Sequence, residues 1–163
     1  MTRRRCLAWF LVAALGVIVM ACGDSDAGSG GAASGGDGSP TDLVVSDASI
    51  ALPAGANSAI YFTIDNRSTV ADRLIEVRTV AGATMLHETR ADDDGLMRMH
   101  HVDSVEIGAG ETVVFAPGGL HVMVLEVAEL AEGDTVAVEL IFERGGALEV
   151  AAVVRSSHEL IGE

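Results

Sequence analysis

The chain has 163 residues, which is room for one ordinary domain, and its 24 acidic residues outnumber its ten basic ones to give a net charge of −14. A surface this acidic repels phosphate backbones, which argues against a nucleic-acid partner. The two cysteines, Cys6 and Cys22, both lie near the N-terminus, so the remainder of the chain has no thiol for a disulfide, a thiolate metal site or nucleophilic catalysis.

The N-terminal segment is typical of an exported protein. Arg3, Arg4 and Arg5 precede an uncharged apolar run from Leu7 to Ala21. A basic start followed by such a run indicates a secretory signal peptide, and fifteen residues fall short of the roughly 20 that a membrane-spanning helix needs. We therefore predict a signal peptide over residues 1–21.

The end of this run resembles a bacterial lipobox, because Val19–Cys22 reads VMAC. In a lipobox the cysteine becomes the first mature residue and carries lipid; the alternative is an ordinary signal peptide with a chance cysteine. Eleven of the nineteen residues from Gly23 to Thr41 are Gly or Ser, which is typical of a flexible tether. We expect a lipidated Cys22, a Gly/Ser-rich linker over residues 22–41, and a lipoprotein anchored to a membrane outside the cytoplasm, in the periplasm or at the cell surface.

Residues 42–155 are predicted to form one β domain, and residues 156–163 a flexible tail. Eight short apolar runs are separated by turn residues and predict strands. The runs are Leu43–Ile50, Ala59–Asp65, Leu74–Val80, Thr84–Thr89, Val113–Phe115, His121–Val127, Thr135–Phe142 and Leu148–Val154. A helical apolar period is not sustained in this segment, so the pattern indicates an antiparallel sandwich or barrel.

Histidines and methionines gather between residues 85 and 123. The window contains His87, His100, His101, His121, Met85, Met97, Met99 and Met123. The triplet His121–Met123 reads HVM, and on a strand its first and third side chains share one face, about 7 Å apart at Cα. The same spacing recurs in two further pairs, Met85 with His87 and Met97 with Met99. Singly, a methionine is usually core filler and a histidine usually a surface residue.

Two imidazoles and two thioethers, without thiolate or carboxylate, suit Cu(I) best. Zinc prefers cysteine and histidine, or histidine with carboxylates, whereas calcium and magnesium prefer oxygen ligands. A blue-copper centre needs a cysteine thiolate, which the predicted domain does not have. We therefore expect Cu(I) at any metal site built from this window.

The spacing within the window resembles the copper motif of the periplasmic copper chaperones called PCu(A)C. His87 is followed after eleven residues by Met99, and after twenty-one more by His121-x-Met123. The segments AIYFTIDN, DRLIEV, PGGLHVM and GDTVAVELIFERGG also resemble blocks of that family. The resemblance covers roughly residues 43 to 154.

This resemblance implies an all-β, cupredoxin-like antiparallel Greek-key barrel or sandwich with the metal ligands His87, Met99, His121 and Met123 near one end. It implies a monomeric, non-enzymatic chaperone that delivers Cu(I) to a membrane-bound copper enzyme, typically a respiratory cytochrome oxidase. In some relatives a methionine follows the first histidine, but here the residue is Glu88. The His/Met-rich tail of some relatives is also missing, with His158 alone in its place, so a second, Cu(II)-type site is not expected.

Two alternatives remain open at this stage. His100 and His101 would suit a copper-dependent redox enzyme, which needs mostly nitrogen ligands, and the domain could also be a metal-free surface module. A copper titration distinguishes a metal-free surface module from a copper-binding protein. An oxygen-consumption or superoxide assay then distinguishes a chaperone from an enzyme.

Overall fold

The computed structural model describes residues 42–161, which form ten strands and one short helix. The predicted signal peptide, Cys22 and the tether lie outside the described residues. The strands are β1 Leu43–Ala51, β2 Asn57–Asn66, β3 Asp72–Thr79, β4 Ala83–Ala91, β5 Met97–His101, β6 Val105–Ile107, β7 Thr112–Phe115, β8 Leu120–Leu125, β9 Thr135–Phe142 and β10 Gly146–Arg155, and the helix is α1 Ser157–Ile161. Within residues 42–161 no helix is long and apolar enough to span a membrane.

All eight runs predicted as strands are strands, but β5 and β6 were not predicted. The sequence of β5 is MRMHH, and its side chains are exposed or half-buried on both faces, so it has no apolar alternation to reveal it. β6 has only three residues. The segment predicted as a flexible tail contains the single helical turn α1, where the backbone N–H of Ser156 donates to the Glu159 carboxylate at 3.3 Å, as in a capping box.

The strands form one curled sheet in the order β5-β4-β8-β7-β2-β1-β10-β9-β3-β6, with β8 also pairing with β2. The pairs β1–β10 and β7–β8 are parallel, and the other pairs among the described residues are antiparallel. β9 and β10 form an antiparallel hairpin, with Gly146 opposite Phe142 next to the turn. Curling brings β3 against β4, where the hydroxyl of Thr84 donates to the carbonyl oxygen of Val77.

The core lies inside the curl and is mainly aliphatic. On β9, Val136, Val138 and Leu140 point inward, as their alternation in the sequence predicts. Phe62 and Phe115 stack at 4.3 Å between ring centroids and are both buried. Burying each large apolar side chain stabilises the fold by roughly 1.5–3 kcal/mol, so the strands form a rigid platform.

The period of two along β4 and β8 sends histidine and methionine side chains to the outer face of that platform. On β4 the buried residue is Leu86, and on β8 the buried residues are Val122 and Val124. The side chains on either side of these positions must point away from the core. The face they occupy carries the candidate metal ligands.

Candidate metal centre

Three histidines form a row across three adjacent strands. β4 lies between β5 and β8, and His87 on β4 is directly opposite His101 on β5 and His121 on β8. The ring centroid of His87 lies 5.9 Å from that of His101 and 5.8 Å from that of His121, with interplanar angles of 79° and 83°. Because metal–imidazole bonds are about 2 Å long, either separation allows one ion to contact both rings.

Methionines flank this row on both sides. Met123 on β8 is directly opposite Met85, two residues before His87, and Met99 on β5 is directly opposite Thr89, two residues after it. Met123 and Met99 are therefore diagonal neighbours of His87 on opposite sides of β4. Diagonal neighbours lie roughly 7–8 Å apart, a distance that long side chains can bridge.

Three of the four predicted ligands line a single surface cavity of about 310 Å³. Met99, His121 and Met123 contribute to its wall, together with Tyr61 and Thr89 and the turn between β7 and β8. The ring of His87 does not line this cavity but is adjacent to that of His121. The structure thus brings the four predicted residues to one outer face, with three of them around the same space.

His121 is held in one orientation by the β7–β8 turn. The residue is 7% exposed, and its Nδ1 donates to the carbonyl oxygen of Gly119 at 3.0 Å in the tautomer that carries the proton there. The same carbonyl accepts the backbone N–H of Thr89 at 3.0 Å, and Gly118 completes the turn at a φ of 81°. Because Nδ1 is occupied, Nε2 is left as the nitrogen able to bind a metal, an arrangement typical of histidine ligands.

His87 is kept neutral by its surroundings. Burial lowers its pKa, and the nearby imidazoles of His121 and His101 lower the pKa further. Its Nδ1 is buried and has no hydrogen-bond partner within residues 42–161. An unsatisfied buried polar atom costs roughly 1–3 kcal/mol, and neutral imidazole is the form that binds metals. Both properties fit a metal ligand.

The remaining histidines and methionines of the window occupy different positions. Met97 and Met99 are each 62% exposed, and Met85 is 40% exposed. His101 is half exposed, with Nε2 3.4 Å from an Asp103 oxygen. His100 pairs with Glu88 and so faces the other side of β5. Across residues 42–161, no three His, Cys, Asp or Glu side chains are placed to hold a metal ion by themselves.

Sequence reasoning missed two features of this site. Tyr61 forms part of the cavity wall, and burial raises the pKa of its hydroxyl. His101 joins the histidine row. Its i, i+2 spacing from Met99 would have predicted this position, but only if β5 had been recognised as a strand.

Comparison with known proteins gives both a family and a fold. Residues 43–154 match the sequence profile of the family described as "Putative lipoprotein LpqE-like". No curated protein matches the chain in sequence.

Solved copper-binding domains have similar structures. The copper-bound PCuAC domain from PmoF2 is 19% identical with a TM-score of 0.59, covering 71% of this chain and 93% of that one. Apo-DR1885 from Deinococcus radiodurans is 28% identical with a TM-score of 0.57, covering 86% and 97%. Its Cu(I) form is 29% identical with a TM-score of 0.58, covering 70% and 78%. These similarities confirm the predicted all-β, cupredoxin-like fold and the resemblance to PCu(A)C domains.

Proposed function

Because the chain belongs to the LpqE-like family, we propose that it is a copper chaperone, a protein without enzymatic activity that binds one Cu(I) ion and passes it to another protein. Its ligands are His87, Met99, His121 and Met123. The observation that carries the proposal is their convergence on one outer face of a fold shared with a Cu(I)-loaded domain 29% identical to this chain.

The donor set suits copper in its reduced form. Thioether sulfur is a soft ligand and imidazole an intermediate one, so two of each favour Cu(I) over the harder cations that carboxylates bind. His121 and His87 need little reorganisation, because one is fixed by the Gly119 carbonyl and the other is neutral. Copper here is cargo, which the residues must hold and later release.

Release is favoured by the uneven exposure of the ligands. His121 is 7% exposed, whereas Met99 on the edge strand β5 is 62% exposed. An acceptor protein can therefore approach copper from the Met99 side and replace that sulfur first. Stepwise exchange of ligands transfers the ion without releasing it into water.

X-ray absorption of the Cu(I)-loaded mature chain tests the ligand set. We expect a shell of two sulfur and two nitrogen donors, and we expect the variant Met123→Leu to lose one sulfur. A shell without sulfur in the wild-type protein would refute the proposed site. Met97→Leu is the control, because Met97 is a methionine of the same window that lies opposite Ala91, away from the histidine row.

We further propose that the protein acts outside the cytoplasm as a lipid-anchored monomer and supplies a membrane-bound respiratory cytochrome oxidase. The lipobox-like sequence at Cys22 and the lipoprotein description of the family support the anchor. A deletion strain grown with limiting copper should lose oxidase activity and regain it when copper is added. Normal oxidase activity under copper limitation would contradict this destination while leaving copper binding intact.

A further inference from the structure

We propose that His101 and Met85, together with His87, form a second Cu(I) position beside the first, through which copper enters or leaves the protein. The inference depends on the proposed function, because both positions hold the same cargo and share His87. It concerns two residues that lie outside the spacing motif.

The position of His101 relative to His87 mirrors that of His121. Both are directly opposite His87, one on β5 and the other on β8, and the ring separations are 5.9 and 5.8 Å. The interplanar angles are also alike, at 79° and 83°. An ion bound to His87 can therefore meet His101 as readily as His121.

Met85 supplies a thioether on the same side. It lies two residues before His87 on the same face of β4 and is 40% exposed. With His101 and Asp103 it lines a cavity of about 200 Å³ that shares no lining residue with the larger one. An imidazole and a thioether again make a soft donor set suited to Cu(I), and the Asp103 carboxylate adds negative charge that favours a cation.

The second position should bind copper more weakly than the first. His101 is half exposed, and its contact with the fully exposed Asp103 holds it less firmly than the Gly119 carbonyl holds the buried His121. Because His87 belongs to both positions, a single ion occupies one or the other. The ion moves by exchanging the bonds to His121 and Met123 for bonds to His101 and Met85, with no change of oxidation state.

The test removes the first position and asks whether the second remains. The mature chain carrying His121→Ala and Met123→Leu is titrated with Cu(I) under reducing conditions against a Cu(I) chelator. We expect it to retain one ion with an affinity roughly tenfold or more below wild type, and addition of His101→Ala to abolish that binding. Addition of His100→Ala should not, because His100 is the adjacent histidine on the opposite face.

Methionine variants in the same background provide a second comparison. Met85→Leu should weaken the residual binding, and the Met85 methyl NMR signal should shift when copper is added, whereas Met97→Leu should have no effect. Equal residual affinities in the His101→Ala and His100→Ala variants would overturn the proposal. Loss of all binding in the double variant, with wild type still binding, would overturn it and leave the proposed function intact. A wild-type chain that binds no Cu(I) would refute the proposed function itself.

Discussion

His87 and His121 are prepared for a metal in different ways. His121 is fixed by a hydrogen bond from Nδ1 to the Gly119 carbonyl, whereas His87 has a buried Nδ1 without a partner among the described residues. The pKa of His87 is lowered by burial first and by the neighbouring imidazoles second. One residue is therefore oriented and protonation of the other is disfavoured, so together they would give the proposed site two nitrogen donors at little cost in reorganisation.

The lowered pKa of His87 leads to a pH prediction. Protons compete with copper for imidazole, whose ordinary pKa is about 6.5, so Cu(I) affinity should stay constant near neutrality and fall below about pH 6. A chelator competition at a series of pH values, with the fold checked by circular dichroism at each, measures this. An affinity that does not change between neutral and acid pH would show that the histidines are not ligands.

The same shift affects the metal-free protein. Because His87 binds protons less readily when folded than when unfolded, the free energy of unfolding contributed by this group falls as the pH drops below about 6.5. Copper loading should stabilise the fold but make its stability fall more steeply with acid, because copper-bound His87 takes up no proton whereas His87 of the unfolded chain does.

At the residue scale, the sequence predicted the metal and its candidate ligands better than it predicted which side chains lie opposite one another. The soft donors and their spacing indicated Cu(I) and four residues, and the structure places those four on one face. The sequence could not reveal that Met85 lies opposite Met123 or that His101 lies opposite His87, because register between strands depends on packing across the whole sheet.

At the scale of elements, the β7–β8 turn determines how His121 is presented. Gly118 has a φ of 81°, which allows the turn to place the Gly119 carbonyl between His121 and Thr89. The sequence PGG predicts a turn here, but it does not predict which hydrogen bonds the Gly119 carbonyl accepts.

We predict that Gly118→Ala weakens copper binding as well as the fold. A side chain in this left-handed conformation costs roughly 1–2 kcal/mol, and relaxing the turn would displace the carbonyl that orients His121. Gly110→Ala is the matched control, because Gly110 has a φ of 69° and lies in the turn between β6 and β7, away from the site. Stability is measured by urea unfolding and affinity by chelator competition. Equal copper affinities in the two variants would contradict a role for the turn.

The edge strand β5 shows why some elements escape prediction. Its side chains are exposed or half-buried on both faces, so the apolar alternation that revealed β9 is missing. A strand at the end of the sheet needs only one partner, and β4 supplies it. The least predictable strand thus carries Met99 and His101, the two most exposed of the proposed ligands.

For the whole molecule, the described domain accounts for copper binding and the N-terminal segment for its predicted location. After cleavage before Cys22 the mature chain would carry 7 arginines and 24 acidic residues, a net charge of −17. Such a charge draws cations towards the surface, and this attraction weakens at high salt. The Gly/Ser-rich tether predicted for residues 22–41 would let the domain reach a membrane-bound acceptor.

We predict that Cys22 is the lipidated mature N-terminus. Mass spectrometry of the membrane fraction should detect a chain that begins at this residue with added lipid mass, because a lipid chain anchors by burying CH₂ groups worth about 0.8 kcal/mol each. Cys22→Ser should leave the protein unmodified and outside the membrane fraction. A mature chain that begins at another residue would contradict this prediction.

The most direct test of the copper site is a competition titration of four methionine variants against a Cu(I) chelator. Met-to-Leu substitution keeps volume and apolar character, so each variant should lose less than about 1.5 kcal/mol of stability and remain folded. Met99→Leu and Met123→Leu should lose Cu(I) affinity sharply, because each removes a ligand sulfur. Met85→Leu and Met97→Leu should bind the first equivalent nearly as wild type does. Equal affinities across all four variants would contradict the proposed site.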